Sequence, residues 1–225
     1  MRLEKQSSPG MQLIISHNAQ EEMRLLCGVF PNREWSGYLV YRMAYNKEEE
    51  NYHIYIDRII PLDVGTETET EYDDGYIPQA VKDLLEDDGE LRLGHIHSHN
   101  TQEVFFSSTD INELVRGAER GEPYLSLIVN NLMEMEARLC VLAKPLTGQD
   151  IILGYMTPLP QKNVVTRHIS ELEPLLLLWE CPITLEGGSE DILFNRLLLE
   201  LLGKLQQKLS NQTYSSSLPI DYTVG

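Results

Sequence analysis

The chain has 225 residues, of which 42% are hydrophobic and 24% charged, with a formal net charge of -17. That size and composition fit one good-sized globular domain, or one domain with an extension, and exclude a wholly disordered chain. The acidic balance excludes a surface built to hold phosphate backbones, so nucleic acid is not an expected partner, whereas a basic partner face would be attracted.

Cys27, Cys140 and Cys181 are widely spaced and form no CxxC pair, so reduced thiols in a cytoplasmic protein are expected. Met1 to Met11 shows no apolar signal segment. The apolar clusters Leu175–Trp179 and Leu197–Leu202 are too short to cross a bilayer, so no membrane partner is expected either.

Residues 1–10, with Gln6-Ser7-Ser8-Pro9-Gly10, read as a flexible leader. Met11–Ile15 is predicted as a strand and Ala19–Gly28 as a short helix. Gly37–Tyr45 and Tyr52–Pro61, rich in Tyr, Val and Ile, are predicted as two strands joined by a polar loop. Thr66–Asp74 is acidic and Thr-rich and reads as an exposed loop, followed by a helix over Ile77–Leu85. Leu91–His99 is the next strand and Ser107–Arg120 the next helix, stopped by Gly121 and Pro123. Tyr124–Asn130 and Met133–Lys144 are two further strands that meet in a tight turn near Asn130-Asn131.

This order predicts an α/β domain over residues 11–145, with a mixed sheet flanked by helices. Residues 146–225 read as a C-terminal helical extension. Within it, Asp191 to about Leu209 has a wide apolar stripe, Ile192, Leu193, Leu197, Leu198, Leu201, Leu202 and Leu205. The stripe packs either on its own domain or on a partner chain in a homo- or hetero-oligomer.

The informative segment is Gly94-His95-Ile96-His97-Ser98-His99-Asn100, followed by Ser107-Ser108-Thr109-Asp110. Strand side chains alternate faces, so His95, His97 and His99 point one way and Ile96 and Ser98 the other. Two imidazoles on one face, with a carboxylate from the first turn of the next helix, form the N,N,O donor set of a catalytic zinc site that keeps one position open. Such a site needs a general base and a donor for a developing oxyanion. Glu34, in Arg33-Glu34-Trp35-Ser36-Gly37, and Ser107 are candidates. Ser107 and Asp110 also satisfy a helix-capping pattern, a role compatible with ligation. His95 shares the ligand face but lies about 7 Å from His97 along the strand, so it reads as a packed histidine, or as a support to the ligands, and is not counted as a ligand.

The pattern Glu34-x-x-Gly37, His97-Ser98-His99, Ser107 and Asp110 resembles the JAMM (JAB1/MPN/Mov34) metallopeptidase motif, over about Met11–Ala143. Ile96 to Gln102 and Phe105 to Asp110 are particularly similar to the AMSH-like deubiquitinases. The resemblance implies a curved mixed sheet of the MPN, cytidine-deaminase-like kind. It implies Zn2+ bound by His97, His99 and Asp110, with Glu34 as base and Ser107 as the oxyanion donor. The implied activity is hydrolysis of an amide or isopeptide bond, in ubiquitin or a ubiquitin-like conjugate. Alternatives are a JAMM peptidase acting on a non-ubiquitin precursor or a sulfur-carrier conjugate, and an MPN assembly subunit without catalysis. Three departures stand out. Asn100 replaces a frequent proline, and His95 replaces a common aromatic. The chain also passes directly from the helix to the next strand, where the AMSH group carries an insertion.

Overall fold

In a computed structural model, residues 2–6, 11–70, 79–143, 175–187, 202–207 and 209–210 are described. They build one mixed, curled nine-stranded sheet with few helices, an α/β architecture in which the sheet dominates. In chain order the elements are β1 (Arg2–Gln6), β2 (Met11–Ile15), α1 (His17–Val29), β3 (Trp35–Asn46), β4 (Asn51–Val64), α2 (Gln79–Asp87), β5 (Arg92–Ser98), α3 (Ser108–Glu119), β6 (Tyr124–Val129), β7 (Met135–Ala143), β8 (Leu175–Glu180) and β9 (Ile183–Leu185). Across the sheet the order is β1-β8-β7-β6-β5-β3-β4-β2-β9. The elements predicted between residues 11 and 144 are all present, with ends shifted by a few residues.

Two expectations are corrected. Part of the supposed flexible leader, Arg2–Gln6, is an edge strand parallel to β8. Its charged residues carry no period-2 apolar signal, because an edge strand is held by the backbone groups of its neighbour. The second correction concerns residue 145 as a domain boundary. Chain from beyond it returns to the same sheet, with β8 antiparallel to β7 and β9 parallel to β2. Leu175-Leu176-Leu177-Leu178-Trp179 is a continuous apolar run, which lacks the alternation by which a half-exposed strand is recognised.

Strand alternation sorts the core onto two faces. One face carries Leu39 and Tyr41 of β3, Ile54 and Ile56 of β4, Ile96 of β5 and Leu125, Leu127 and Val129 of β6. It is covered by Met23 and Leu26 of α1. α1 starts where the Ser16 hydroxyl accepts from the Ala19 N–H at 3.2 Å, and its Ala19, Met23, Leu26 and Cys27 follow the i, i+3/i+4 spacing of an inward stripe. Leu202 and Leu205 are buried in the same core. Residues 144–174 and, within the predicted Asp191–Leu209 helix, residues 191–201 and 208 lie outside the described residues. On the opposite face, Leu114 and Ala118 of α3 pack on Cys140, Leu176 and Leu178. Tyr38, Val40 and Ile60 pack with Val81 of α2. Among the described residues no helix is long and apolar enough to cross a membrane.

β5 sits centrally, antiparallel to β3 and parallel to β6, with Ser36 opposite His97 and His97 beside Ile128. Gly94 allows this close approach: a Cβ there would meet the Leu125 carbonyl oxygen at 2.4 Å. Gly94→Ala is therefore expected to cost about 1–3 kcal/mol of stability by overpacking, measured by denaturant unfolding. A variant as stable as the parent would show that β5 and β6 can separate without cost.

Candidate metal centre

Three side chains from two elements converge above β5. Ligand atoms of His97, His99 and Asp110 all lie within 4.8 Å of one another, and the three residues are buried. His97 Nε2 stands 3.4 Å from Asp110 Oδ1. Bonds of about 2.0–2.2 Å at a tetrahedral angle set two zinc ligands roughly 3.4 Å apart, whereas a charge-assisted hydrogen bond is about 2.7–2.9 Å. Two donors at this spacing could hold one ion between them.

The surrounding hydrogen bonds prepare the donors. His99 Nδ1 lies 2.9 Å from the Glu103 carbonyl oxygen, which can only accept, so the ring carries its proton there and leaves Nε2 with a lone pair. Asp110 divides its oxygens. Oδ2 accepts from the Ser107 N–H at 2.7 Å, Oδ1 faces His97, and the Ser107 hydroxyl accepts from the Asp110 N–H at 3.2 Å. This reciprocal capping box starts α3 and fixes the carboxylate in one step. It also leaves the Ser107 hydroxyl proton free to be donated, because the cap uses the oxygen only as an acceptor.

His97 is held differently. Its Nδ1 is buried without a hydrogen-bond partner among the described residues, so packing orients the ring. The His95 ring stacks on it at 5.2 Å between centroids and 25° between planes. Burial pulls the His97 imidazole down to about 4, against a smaller upward pull from Asp110. Burial, with His97 adding to it, pulls His95 down to about 3. Both rings are thus neutral near pH 7, the state in which an imidazole binds metal.

Glu34 immediately precedes β3, two residues before the Ser36 that pairs with His97. The Ser98 hydroxyl accepts from the Trp35 N–H at 2.9 Å, tying that end of β3 to β5 from the face opposite the histidines. The Glu34 main chain is clamped by the 65–70 loop: its N–H donates to the Thr66 carbonyl at 2.8 Å and its carbonyl accepts from Gly65 at 2.9 Å. Its side chain is buried, 6% exposed. Burial first, then the negative charges of Asp110 and Glu69, push its carboxyl from 4.5 up to about 7. The structure brings His97, His99 and Asp110 together, with Ser107 hydrogen-bonded to Asp110 and Glu34 near enough to feel the charge of that carboxylate.

Sequence reasoning missed the supports. The acidic loop, expected only as an exposed insertion, carries exposed Glu67 and Glu69 but also walls in Glu34 with its backbone. Asn100, at φ 57°, occupies a left-handed conformation closed to proline, which accounts for the residue found there. Its side-chain amide donates to the Glu67 carbonyl at 3.3 Å. Asn130, 1% exposed, donates to the Gln102 carbonyl at 3.0 Å and accepts from the N–H groups of Leu132 and Glu134. The expected tight turn near Asn130-Asn131 is present, closed by the Met133 N–H donating to the Asn130 carbonyl at 2.9 Å, and the Asn130 N–H donates to the Glu134 carbonyl at 3.1 Å. Phe106 lies under the Arg138 guanidinium at 4.6 Å, while Phe105, 51% exposed, packs edge-on against His99.

No family model and no curated protein matches the chain. Among solved structures, it is similar to the solution structure of the protein DSY2949 from Desulfitobacterium hafniense, at 19% identity and a TM-score of 0.44, over 80% of this chain and 96% of that one.

Glu34 gives a pH signature in the metal-free chain. Because its folded pKa is raised, the folded state holds a proton that the unfolded state has released between about pH 4.5 and 7. Stability from this group is present at low pH and is lost as pH rises through about 7. Glu34→Gln is expected to flatten that slope and to stabilise the metal-free chain at pH 8 by up to about 3 kcal/mol. Denaturant titrations at pH 5 and pH 8 check it, and equal pH slopes for parent and variant would contradict it.

Proposed function

We propose that this chain is a zinc-dependent amide hydrolase of the JAMM/MPN kind, with the curved MPN-like sheet as its scaffold. The observation that carries the reading is the meeting of His97, His99 and Asp110 within 4.8 Å beside a buried glutamate and a capped serine. Two imidazoles and one carboxylate suit zinc better than calcium or magnesium, which take mostly oxygen ligands.

Zinc held there supplies Lewis-acid polarisation of a carbonyl and acidifies a water molecule. The chain's own residues do the rest. Glu34, raised toward neutrality, takes a proton from the attacking water and delivers it to the departing amine. The Ser107 hydroxyl donates to the carbonyl oxygen as negative charge builds on it. His99 and Asp110 stay oriented through Glu103 and the capping box.

The substrate class is an amide or an isopeptide to lysine, with a ubiquitin-like conjugate as the first candidate. A non-ubiquitin precursor or a sulfur-carrier conjugate is the second candidate, favoured by the connection after α3. That helix ends at Glu119 and β6 begins at Tyr124, leaving no room for a chain-gripping insertion there. An assembly subunit without catalysis has no use for a buried base beside a full donor set. The free, buried cysteines fit the expected cytoplasmic setting.

Purified chain is expected to carry tightly bound zinc by elemental analysis, and chelation should abolish hydrolysis of amide or isopeptide conjugates. Glu34→Gln should keep the metal and lose about 10²–10⁴-fold in kcat. Ser107→Ala should keep it and lose about 10²-fold or more. A Glu34→Gln variant that turns over at the parent rate removes Glu34 from the base role, and a chain that binds no zinc removes the whole reading.

A further inference from the structure

The pairing of His97 with Asp110 is repeated one step along the same two elements. His95 lies two residues before His97 on the same face of β5, and Glu113 lies three residues after Asp110 on α3, on the same side of that helix. His95 Nδ1 and Glu113 Oε2 are 3.5 Å apart, against 3.4 Å for His97 Nε2 and Asp110 Oδ1. Both gaps exceed a charge-assisted hydrogen bond of about 2.7–2.9 Å. The other Glu113 oxygen, Oε1, faces Arg116 at 3.7 Å, so Oε2 is the one turned to the histidine. A buried hydroxyl stands beside His95 on the next strand. Ser126 of β6 is the register partner of His95, is 1% exposed, and its Oγ has no hydrogen-bond partner among the described residues. A buried hydroxyl without a partner is uncommon and calls for a reason. The Glu113 side chain is 36% exposed, so water can complete a coordination shell from that side.

We propose that His95, Glu113 and Ser126 form a second cation site beside the first, suited to divalent metals that accept imidazole, such as zinc or cobalt. It rests on the reading of His97, His99 and Asp110 as a metal centre, but not on the hydrolase reading. It binds more weakly than its neighbour, because it offers one imidazole instead of two and a hydroxyl in place of the other. Like charge in the filled first site lowers its affinity further.

Equilibrium dialysis of the full chain against cobalt(II), with visible absorbance to report coordination, tests this. The parent should take up one tight and one weaker equivalent. Glu113→Gln and His95→Phe should each remove the weaker equivalent and keep the tight one. His97→Ala should remove the tight one and keep the weaker. Saturation at a single equivalent overturns the proposal. So does a second equivalent that survives both Glu113→Gln and His95→Phe, since it would be loose binding to an acidic surface. A parent that binds no cobalt overturns the first site along with the second. Thermal melts establish that each variant is folded, and the partly exposed Glu113→Gln carries the test if His95→Phe is not.

Discussion

The Asp110 carboxylate joins the fold to the site. One of its oxygens closes the capping box that starts α3, and the other faces the histidines of β5. The start of a helix and the carboxylate of the candidate cation site are thus set by a single rotamer. Substituting the residue at this position removes a candidate donor and a cap together. The buried His97 imidazole opposite, held neutral near pH 7 by desolvation, forms no permanent ion pair with the carboxylate.

Around that point the site is assembled from groups that do little individually. Glu34 is brought in by the pairing of β3 with β5, by the hydroxyl of Ser98 on the reverse face, and by the backbone of the acidic loop. His99 is turned by a main-chain carbonyl four residues on. Asn100, Asn130 and Asn131 stitch the loop after β5 to the turn after β6: the Asn131 N–H donates to the Asn100 carbonyl at 2.6 Å, and its amide donates to the Pro31 carbonyl at 2.7 Å. Buried amides of this kind hold a loop at fixed geometry because each missing partner would leave a desolvated polar atom.

The sequence was most readable where spacing and periodicity act over short range. The alternation His95, Ile96, His97, Ser98, His99 announced which side chains share a face, and the structure places Ile96 in the main core and the histidines opposite. The capping pattern of Ser107 and Asp110 announced the start of α3. What was not readable is long-range. Arg2–Gln6 is a strand only because β8 lies beside it, and Leu175–Trp179 is an apolar run that either a helix or a buried strand could use. The hydrogen bond from Asn100 to Glu67 spans 33 residues and leaves no local trace. Likewise, Glu34 is ordinary in its own neighbourhood and acquires meaning only when β3 is laid against β5.

The two border strands of the sheet come from stretches far apart in the sequence. β1 lies at one border and β9 at the other, with β8 inserted between β1 and β7. During synthesis β8 and β9 leave the ribosome after the other strands, so the borders at β7 and β2 present open backbone donors and acceptors until then. A fragment ending near residue 143 would keep every residue of the metal centre and still carry two adhesive rims, each a template for strand exchange between copies.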